Sequence, residues 1–329
     1  MRYGAAIRGV GAYVPEGRLT NADLSARVET SDEWILSRTG IRERRIAPAH
    51  EGTSHLALRA AREALSAAGL APAELDLIIV ATCTPDLAFP PVAALVQGQL
   101  GASRAGAFDM NGVCAGFLYA LVTGAQFIQN GAHKHVLVIG AETYSRIVNY
   151  DDRNTCILFG DGAGAVVLSQ TAPGSGLLDF TLQGDGSQAA LLYCPAPNSP
   201  EATLAALGAA EGPYVWQNGK AVFKAAVGAM AESVQRLLSR QGVPAEELRL
   251  LVPHQANKRI MAALGEQLGL PVERVADCIA EYGNTSAATI PLALHKWITT
   301  EGLEQGDLVM FCAFGGGFLW GSALFRWEG

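Results

Sequence analysis

Charge is scarce in this chain. Only 17% of its 329 residues are Asp, Glu, Lys or Arg, which excludes a disordered or fibrous polypeptide, since such chains bury too little apolar surface to fold. Basic residues are the scarcer kind, 24 Lys and Arg against 31 Asp and Glu, for a formal net charge of -7. That balance excludes a dedicated nucleic-acid binder, which must neutralise a row of phosphates, and leaves room only for local basic patches. Cysteine is sparse too: six residues, at 83, 114, 156, 194, 278 and 312, with no Cys-x-x-Cys pair to indicate zinc or dithiol redox chemistry. His133 and His135 have a metal-compatible spacing but no companion ligands nearby, so they read as a polar turn before a strand, and no metal is expected. No signal peptide is expected in the first residues of the sequence, which lack its long apolar segment. Met1 to Pro15 is an alternating apolar run carrying Arg2 and Arg8, a first strand rather than a signal peptide, and a cytoplasmic protein is the expectation.

Hydrophobic residues make up half of the chain, and there are 37 glycines, a composition suited to a large α/β core with many tight strand-to-helix turns. From Met110 to Ala132 no residue is charged, long enough to raise the question of a membrane span. Asn111, Thr123, Gln126, Gln129 and Asn130 would be costly in lipid, so the stretch reads as a helix buried in a soluble core. Strands are expected at Leu75 to Thr82, Gly106 to Met110, Val136 to Ala141 and Ala163 to Ser169, and helices at His55 to Ala68 and Ala115 to Gln129. The Pro-, Ala- and Gly-rich segment from Leu191 to Tyr214 is a candidate loop or cap over a site.

The second half repeats the first. Glu74 to Ile79 aligns with Glu247 to Val252, and the strand beginning at Val136 aligns with the one beginning at Leu308 at nearly the same separation. Two halves are therefore expected, 1–172 and 173–329, sharing one tight interface. Carrying the separation forward from Cys114 lands at Ser286 or Ala287, beside Asn284.

Cys114 follows a short strand and precedes the uncharged helix. Orphan N–H groups and the helix dipole at such a position favour a thiolate, and Gly112 and Gly116 leave backbone room to expose the sulfur. An inert cysteine in a glycine-rich turn satisfies the same spacing. So does a nucleophile elbow with cysteine in place of serine, Gly112-Val113-Cys114-Ala115-Gly116, which points to a Cys-dependent α/β-hydrolase with Asp161 and then His254 completing a triad. His254, in Pro253-His254-Gln255-Ala256-Asn257, sits where an apolar strand gives way to a helix, a place available to ligands. Asn284, in Gly283-Asn284-Thr285-Ser286, has the composition of an ordinary helix cap.

Taken together, Asn111 to Phe117, His254 to Asn257, Gly283 to Ala288, Gly160 to Ala165 and Phe314 to Phe318 closely resemble beta-ketoacyl-acyl carrier protein synthase III of the thiolase-like superfamily, across nearly the whole chain. The resemblance implies a five-layer αβαβα fold built from two duplicated halves, usually a homodimer, and a triad of Cys114, His254 and Asn284. It implies decarboxylative condensation of a short acyl-CoA primer with malonyl-acyl carrier protein, giving CO2 and a 3-oxoacyl product at the start of fatty acid synthesis, with no cofactor. A relative using the same triad in secondary metabolism remains an alternative.

The residue types suit that chemistry. A thiolate divides a difficult acyl transfer into two easier steps. The enolate formed on decarboxylation needs donors at its oxygen, which a neutral His254 and the Asn284 amide can supply, whereas a carboxylate there would repel the developing charge. By resemblance, the N–H groups of Cys114 and Gly316 form the oxyanion hole, and Phe314 lies near the reacting carbons. Trp34 and Arg38, one helical turn apart, are assigned with Arg153 to the CoA adenine, and Ala256 to substrate contact; Phe89 is assigned to the partner subunit's acyl pocket, where it limits primer length. Gln255, Lys258, Arg259 and Lys224 are the candidate carrier-protein contacts. The sequence departs from the pattern at Glu266 and Gln267, where basic residues are common, at Tyr282 in place of a histidine, and at Gly112-Val113 in place of two alanines. Gly160-Asp161-Gly162-Ala163-Gly164-Ala165 lacks the dinucleotide fingerprint and runs into a strand, so it reads as close backbone packing.

Overall fold

Runs such as Leu77-Ile78-Ile79-Val80-Ala81 are apolar on both faces, as a strand must be when helices cover each side of its sheet. The computed structural model, which describes residues 2–209 and 212–328, places them that way. Its principal strands are β1 (Gly4–Tyr13), β2 (Leu77–Ala81), β3 (Gly106–Met110), β4 (His135–Thr143), β5 (Asp161–Thr171), β6 (Gly176–Gly184), β7 (Leu248–Pro253), β8 (Leu308–Gly315) and β9 (Leu319–Arg326). The helices that matter to the site are α1 (Asp32–Thr39), α2 (Thr53–Ala68), α3 (Val92–Leu100), α4 (Gly116–Gln129), α5 (Gly219–Gln241), α6 (Lys258–Leu268) and α7 (Thr289–Thr300). The strands run in the order β7-β8-β9-β6-β1-β5-β4-β2-β3.

That order is two copies of one pattern set edge to edge. In the first, β1 pairs antiparallel with β5 and β5 with β4, and then β4, β2 and β3 run parallel. In the second, β6, β9 and β8 are antiparallel neighbours, β8 and β7 are parallel, and a bridge from Leu251 to Val275 stands where a fifth strand would be. Within the sheet the copies join through the single pair Ala5 and Gly176. Their detail repeats as well. Helices α2 and α5 both end on a glycine at φ 64° and ψ 29°, Gly69 and Gly242, and the turns into α4 and α7 each hold a non-glycine residue at positive φ, Val113 at 48° and Ser286 at 50°.

Period-two alternation along each strand builds the layers. Ile78 and Val80 face α2 and α3, while Ile79 joins a central cluster with α4 and α7. Across that cluster Leu250, Val252 and Phe311 face inward, and Leu251 and Met310 pack outward against α5 and α6. The result is five layers, helix, sheet, helix, sheet, helix. Helix α4 lies in the middle, which explains the uncharged run. Its polar groups are satisfied internally: Thr123 Oγ1 donates to Tyr119 O at 2.8 Å and Gln129 Nε2 to Leu177 O at 2.9 Å. Among the described residues no helix is long and apolar enough to cross a membrane.

The boundaries moved for local reasons. The first expected strand loses Leu75 to a 3-10 turn, whose Leu75 N–H reaches Pro72 O at 3.2 Å. Helix α2 gains Thr53 and Ser54 because Asp86 accepts from Ser54 N–H at 2.8 Å and caps it. Helix α4 starts one residue late, after a 3-10 turn over Val113–Ala115. The segment from Leu191 to Tyr214 holds a short helix, Glu201–Leu207, with residues 210 and 211 outside the described part.

Close approach explains the glycine motifs. A Cβ on Gly164 would meet the Pro291 ring at 2.7 Å, so the Gly-Asp-Gly-Ala-Gly stretch is indeed a packing surface for α7. A Cβ on Gly140 would meet Ala287 O at 2.3 Å, against backbone that cannot yield. Gly140→Ala is therefore expected to destabilise the protein by about 3 kcal/mol or more, the upper end for overpacking, read as a lowered urea midpoint at unchanged slope.

Candidate active site

Cys114 occupies the 3-10 turn between β3 and α4, His254 follows β7, and Asn284 precedes α7. All three line one narrow cleft, together with Phe314 at the end of β8 and Ala256, and the cleft is otherwise walled by Tyr144, Leu158, Phe159, Leu192, Val222, Phe223 and Met230. They come from both copies of the repeat. Their side chains are nearly buried: Cys114 is 5% exposed, His254 2% and Asn284 6%. Leu192, from the expected cap segment, is one wall.

The nucleophile's turn is pressed from the other half. A Cβ on Gly315 would sit 2.9 Å from Cys114 N, so only glycine lets the end of β8 approach. Gly316 follows directly, against Leu192. One expectation is overturned here. Burial pushes the Cys114 thiol up to about 12, and the nearby Glu142 carboxylate adds to the rise, so the turn favours a thiol over a standing thiolate. Desolvation outweighs the helix N-terminus. Ser286 Oγ, which is buried and has no hydrogen-bond partner of its own among the described residues, lies where it favours a charged Cys114 and a charged Glu142 alike.

His254 is oriented by its backbone and by one side chain. Its N–H donates to Cys312 O at 2.8 Å, and its Nδ1 lies 2.7 Å from Thr289 Oγ1. Asp161 takes no part. Its carboxylate accepts from Ala47 N–H at 2.8 Å and from Ser145 N–H and Oγ at 2.8 and 2.6 Å, so the hydrolase order Cys, Asp, His finds no acid on the histidine. Burial drives His254 down to about 3 from an ordinary 6.5. A group depressed on folding stabilises the protein above its unfolded pKa and loses that contribution as pH falls toward the folded one. Between pH 7 and 4.5 the loss is about 3 kcal/mol at 1.36 kcal/mol per unit. Glu142, raised to about 6 by burial, works in the opposite sense, regaining about 2 kcal/mol over the same window. In His254→Gln the loss of stability on acidification from pH 7 to 4.5 should shrink by roughly 2–3 kcal/mol, measured by urea unfolding at both pH values.

Asn284 is clamped into the first half. Its N–H donates to Leu158 O at 2.9 Å, its carbonyl accepts from Gly160 N–H at 3.1 Å, and Gly283 before it has φ 68°. Its Oδ1 accepts from Ser286 N–H at 2.9 Å, which turns the Nδ2 donors toward the cleft. Asn111 bonds Val113 N–H in the same way at 3.2 Å, so in both copies the amide holds the N–H that opens the 3-10 turn, while the helices themselves start without a side-chain cap. In the second copy the amide also lines a cavity.

Among the outlying residues, Arg153 lies 4.9 Å and Arg38 6.0 Å from the Trp34 ring centre, so the three form one patch. Lys224 on α5 and Lys258 and Arg259 at the start of α6 are exposed, and Arg259 sits 5.7 Å from the ring of Phe223, a cleft wall. Gln255 does not belong with them. It is fully buried, donating to Pro253 O at 2.8 Å and Ala276 O at 3.0 Å and accepting from Cys278 N–H at 3.1 Å, which makes it an internal brace. Phe89 is 84% exposed. Sequence reasoning passed over Thr289, Ser286 and Glu142. The first two look like helix-start residues, and the third is one acid in an apolar strand. Among the described residues no cluster of His, Cys, Asp and Glu could hold a metal ion; His135 Nδ1 pairs with Ser169 Oγ at 2.9 Å and His133 packs on Phe127.

The profile of the family described as 3-oxoacyl-[acyl-carrier-protein (ACP)] synthase III matches residues 108–186, and its C-terminal companion matches residues 238–327. A beta-ketoacyl-[acyl-carrier-protein] synthase III of Bacillus pumilus is 49% identical, covering 98% of this chain and 99% of its own. The protein of that name from Laribacter hongkongensis is 48% identical over the same shares. The crystal structure of 3-oxoacyl-[acyl-carrier-protein] synthase III from Aquifex aeolicus superposes with a TM-score of 0.92 at 47% identity, covering 98% of this chain and all of that one. A priming beta-ketosynthase from the R1128 polyketide pathway superposes at 0.91 with 33% identity, covering 99% and 97%.

Proposed function

The chain belongs to the 3-oxoacyl-[acyl-carrier-protein] synthase III family, and from that premise we propose that Cys114, His254 and Asn284 carry its condensing acyltransferase reaction. The observation that supports the assignment best is the convergence of these three, from separate elements and both repeats, on one cleft.

Cys114 Sγ attacks the carbonyl of a short acyl-CoA, its proton passes to His254 and on to the departing CoA thiolate, and an acyl-cysteine remains. Malonyl-acyl carrier protein then enters and loses CO2. The Asn284 amide and His254 hydrogen-bond the enolate oxygen, the enolate carbon attacks the acyl-cysteine, and collapse of the tetrahedral intermediate, held by the N–H groups of Cys114 and Gly316, expels the sulfur as a thiolate, which takes a proton from solvent, and releases 3-oxoacyl-acyl carrier protein. Phe314 excludes water from the reacting carbons. The cysteine and the carrier thioester supply all the reacting groups, so the reaction takes no cofactor.

The CoA adenine rests on Trp34 between Arg38 and Arg153. Lys224, Lys258 and Arg259 meet the acidic carrier protein, without Gln255 and with Glu266 and Gln267 weakening the patch. Exposed Phe89 and Leu87 are covered by a second copy in a cytoplasmic homodimer, and the halves divide near residue 172. The testing assay incubates the protein with labelled acetyl-CoA and then with malonyl-acyl carrier protein. Label should appear on Cys114 and then in a 3-oxoacyl product; label released only as acetate would overturn the reading in favour of a hydrolase.

A further inference from the structure

Thr289 Oγ1 has one proton and two neighbours. It lies 2.8 Å from Ser286 O and 2.7 Å from His254 Nδ1, and it is buried at 1% exposure, away from competing water. A carbonyl oxygen only accepts, so the bond to Ser286 O takes the hydroxyl proton. With its hydrogen there the hydroxyl meets Nδ1 as an acceptor, and both bonds form together only when Nδ1 carries the imidazole's hydrogen. In the neutral ring the other nitrogen, Nε2, is left with a lone pair.

We infer that Thr289 is a positioning residue that holds His254 in the Nδ1–H tautomer, making Nε2 the proton acceptor for Cys114 in the acylation step. This inference rests on the proposed triad. The protons balance without Thr289 giving one up. The Sγ–H proton moves to Nε2 as the sulfur attacks, the ring briefly holds both hydrogens, and the departing CoA thiolate takes the one on Nε2. Nδ1–H stays on Thr289 throughout. When His254 later serves the enolate as a donor, the ring's hydrogen must stand on Nε2: the ring takes a proton from water there and gives the one on Nδ1 back to water, and the Thr289 hydroxyl turns from Ser286 O to donate to the bare Nδ1, with no net change in protons. Valine, which has the same shape, can do neither. It leaves Nδ1–H buried without an acceptor and so favours Nε2–H, which disables the base and spares the donor.

The test uses Thr289→Val and Thr289→Ser in the intact protein with 15N-labelled histidine, the His254 resonances being assigned by their loss in His254→Gln. Wild type and Thr289→Ser should show Nδ1–H, and Thr289→Val should show Nε2–H. Acetyl transfer to Cys114 should fall roughly a hundredfold in Thr289→Val, the lower end of the range for a lost general base. Decarboxylation of malonyl-acyl carrier protein by enzyme acetylated to completion beforehand should change by less than about threefold, and serine should restore acylation. A wild-type spectrum showing Nε2–H, or equal losses in both steps with the tautomer unchanged, overturns the inference. Failure of wild type to take up acetyl label would instead overturn the proposed reaction, and the spectrum would still decide the role of Thr289.

Discussion

Cys114→Ala should lose transfer of the acetyl label from acetyl-CoA by at least about a thousandfold, the scale on which an enzyme depends on its covalent nucleophile. Among the described residues no other thiol lines the cleft, and the exposed Cys194 is turned to Pro213 O at 3.4 Å. Cys278 and Cys312 are buried in the core, and Cys156 packs under the loop cluster around Tyr144. Cys83 is directed to the Glu142 carboxylate at 3.3 Å, and burial and that charge together keep it protonated. Alanine at 114 removes one sulfur from a tight turn whose geometry is set by backbone contacts with Gly315, so the fold should survive with a loss near 1 kcal/mol. Because His254 and Asn284 remain, the variant should still decarboxylate malonyl-acyl carrier protein, with solvent protonating the enolate to give acetyl-acyl carrier protein. Release of labelled CO2 without 3-oxoacyl product checks both halves of this expectation. If the alanine variant still became labelled on another residue, the nucleophile would be wrong.

A thiol that rests protonated gives this result a consequence in pH. Acylation needs the proton to leave Cys114 as the sulfur attacks, and both burial and the Glu142 charge oppose a free thiolate. The Cys114 N–H and Ser286 act in the other direction, and they become decisive only when a bound carbonyl accepts the developing charge.

Much of this was legible in the residues. Alternation of Ile78, Ile79 and Val80 between two clusters follows from period-two geometry, and the repeat of Glu74 to Ile79 in Glu247 to Val252 predicted two superposable sheets. The uncharged stretch after Met110 could only be a central helix. What escaped were features that depend on distance across the duplication. Whether Cys114 is charged depends on how much water α7, β8 and Glu142 exclude, which no spacing within Asn111 to Phe117 reports. Gln255 sits between His254 and Asn257 in the sequence and looked like a surface contact, yet the chain reverses there, and the amide is consumed in bracing Pro253 to Ala276 and Cys278. Thr289 carries no motif at all, and its meaning arises because α7 begins beneath the end of β7. Asn284 was the hardest to separate from its bland alternative, since its side chain does hold the first N–H of the turn, as a cap would. Only the cleft beside it distinguishes it from Asn111.

That dual character shapes the second large effect. Asn284→Ala should lower decarboxylation of malonyl-acyl carrier protein by roughly a hundredfold to a thousandfold, the loss typical of one oxyanion donor, while acetyl transfer to Cys114 falls by less than about tenfold. Alanine also orphans Ser286 N–H, which now donates to Oδ1 at 2.9 Å, at a cost of about 1–3 kcal/mol. A loosened turn could slow both steps, so a second substitution is needed to isolate the donor. Asn284→Asp keeps the shape and keeps an acceptor for Ser286 N–H, but it replaces the Nδ2 donors with a carboxylate oxygen facing the enolate. If the amide acts as a donor, aspartate should be the worse enzyme in decarboxylation at pH 7 despite preserving the cap, and it should recover partially as acidification neutralises its carboxyl and gives it a hydrogen to donate. If the residue serves only as a cap, aspartate should retain nearly full activity and alanine alone should fail. Single-turnover CO2 release across pH for the two variants, set beside acetyl loading in each, decides between a braced turn and a hydrogen bond to the enolate.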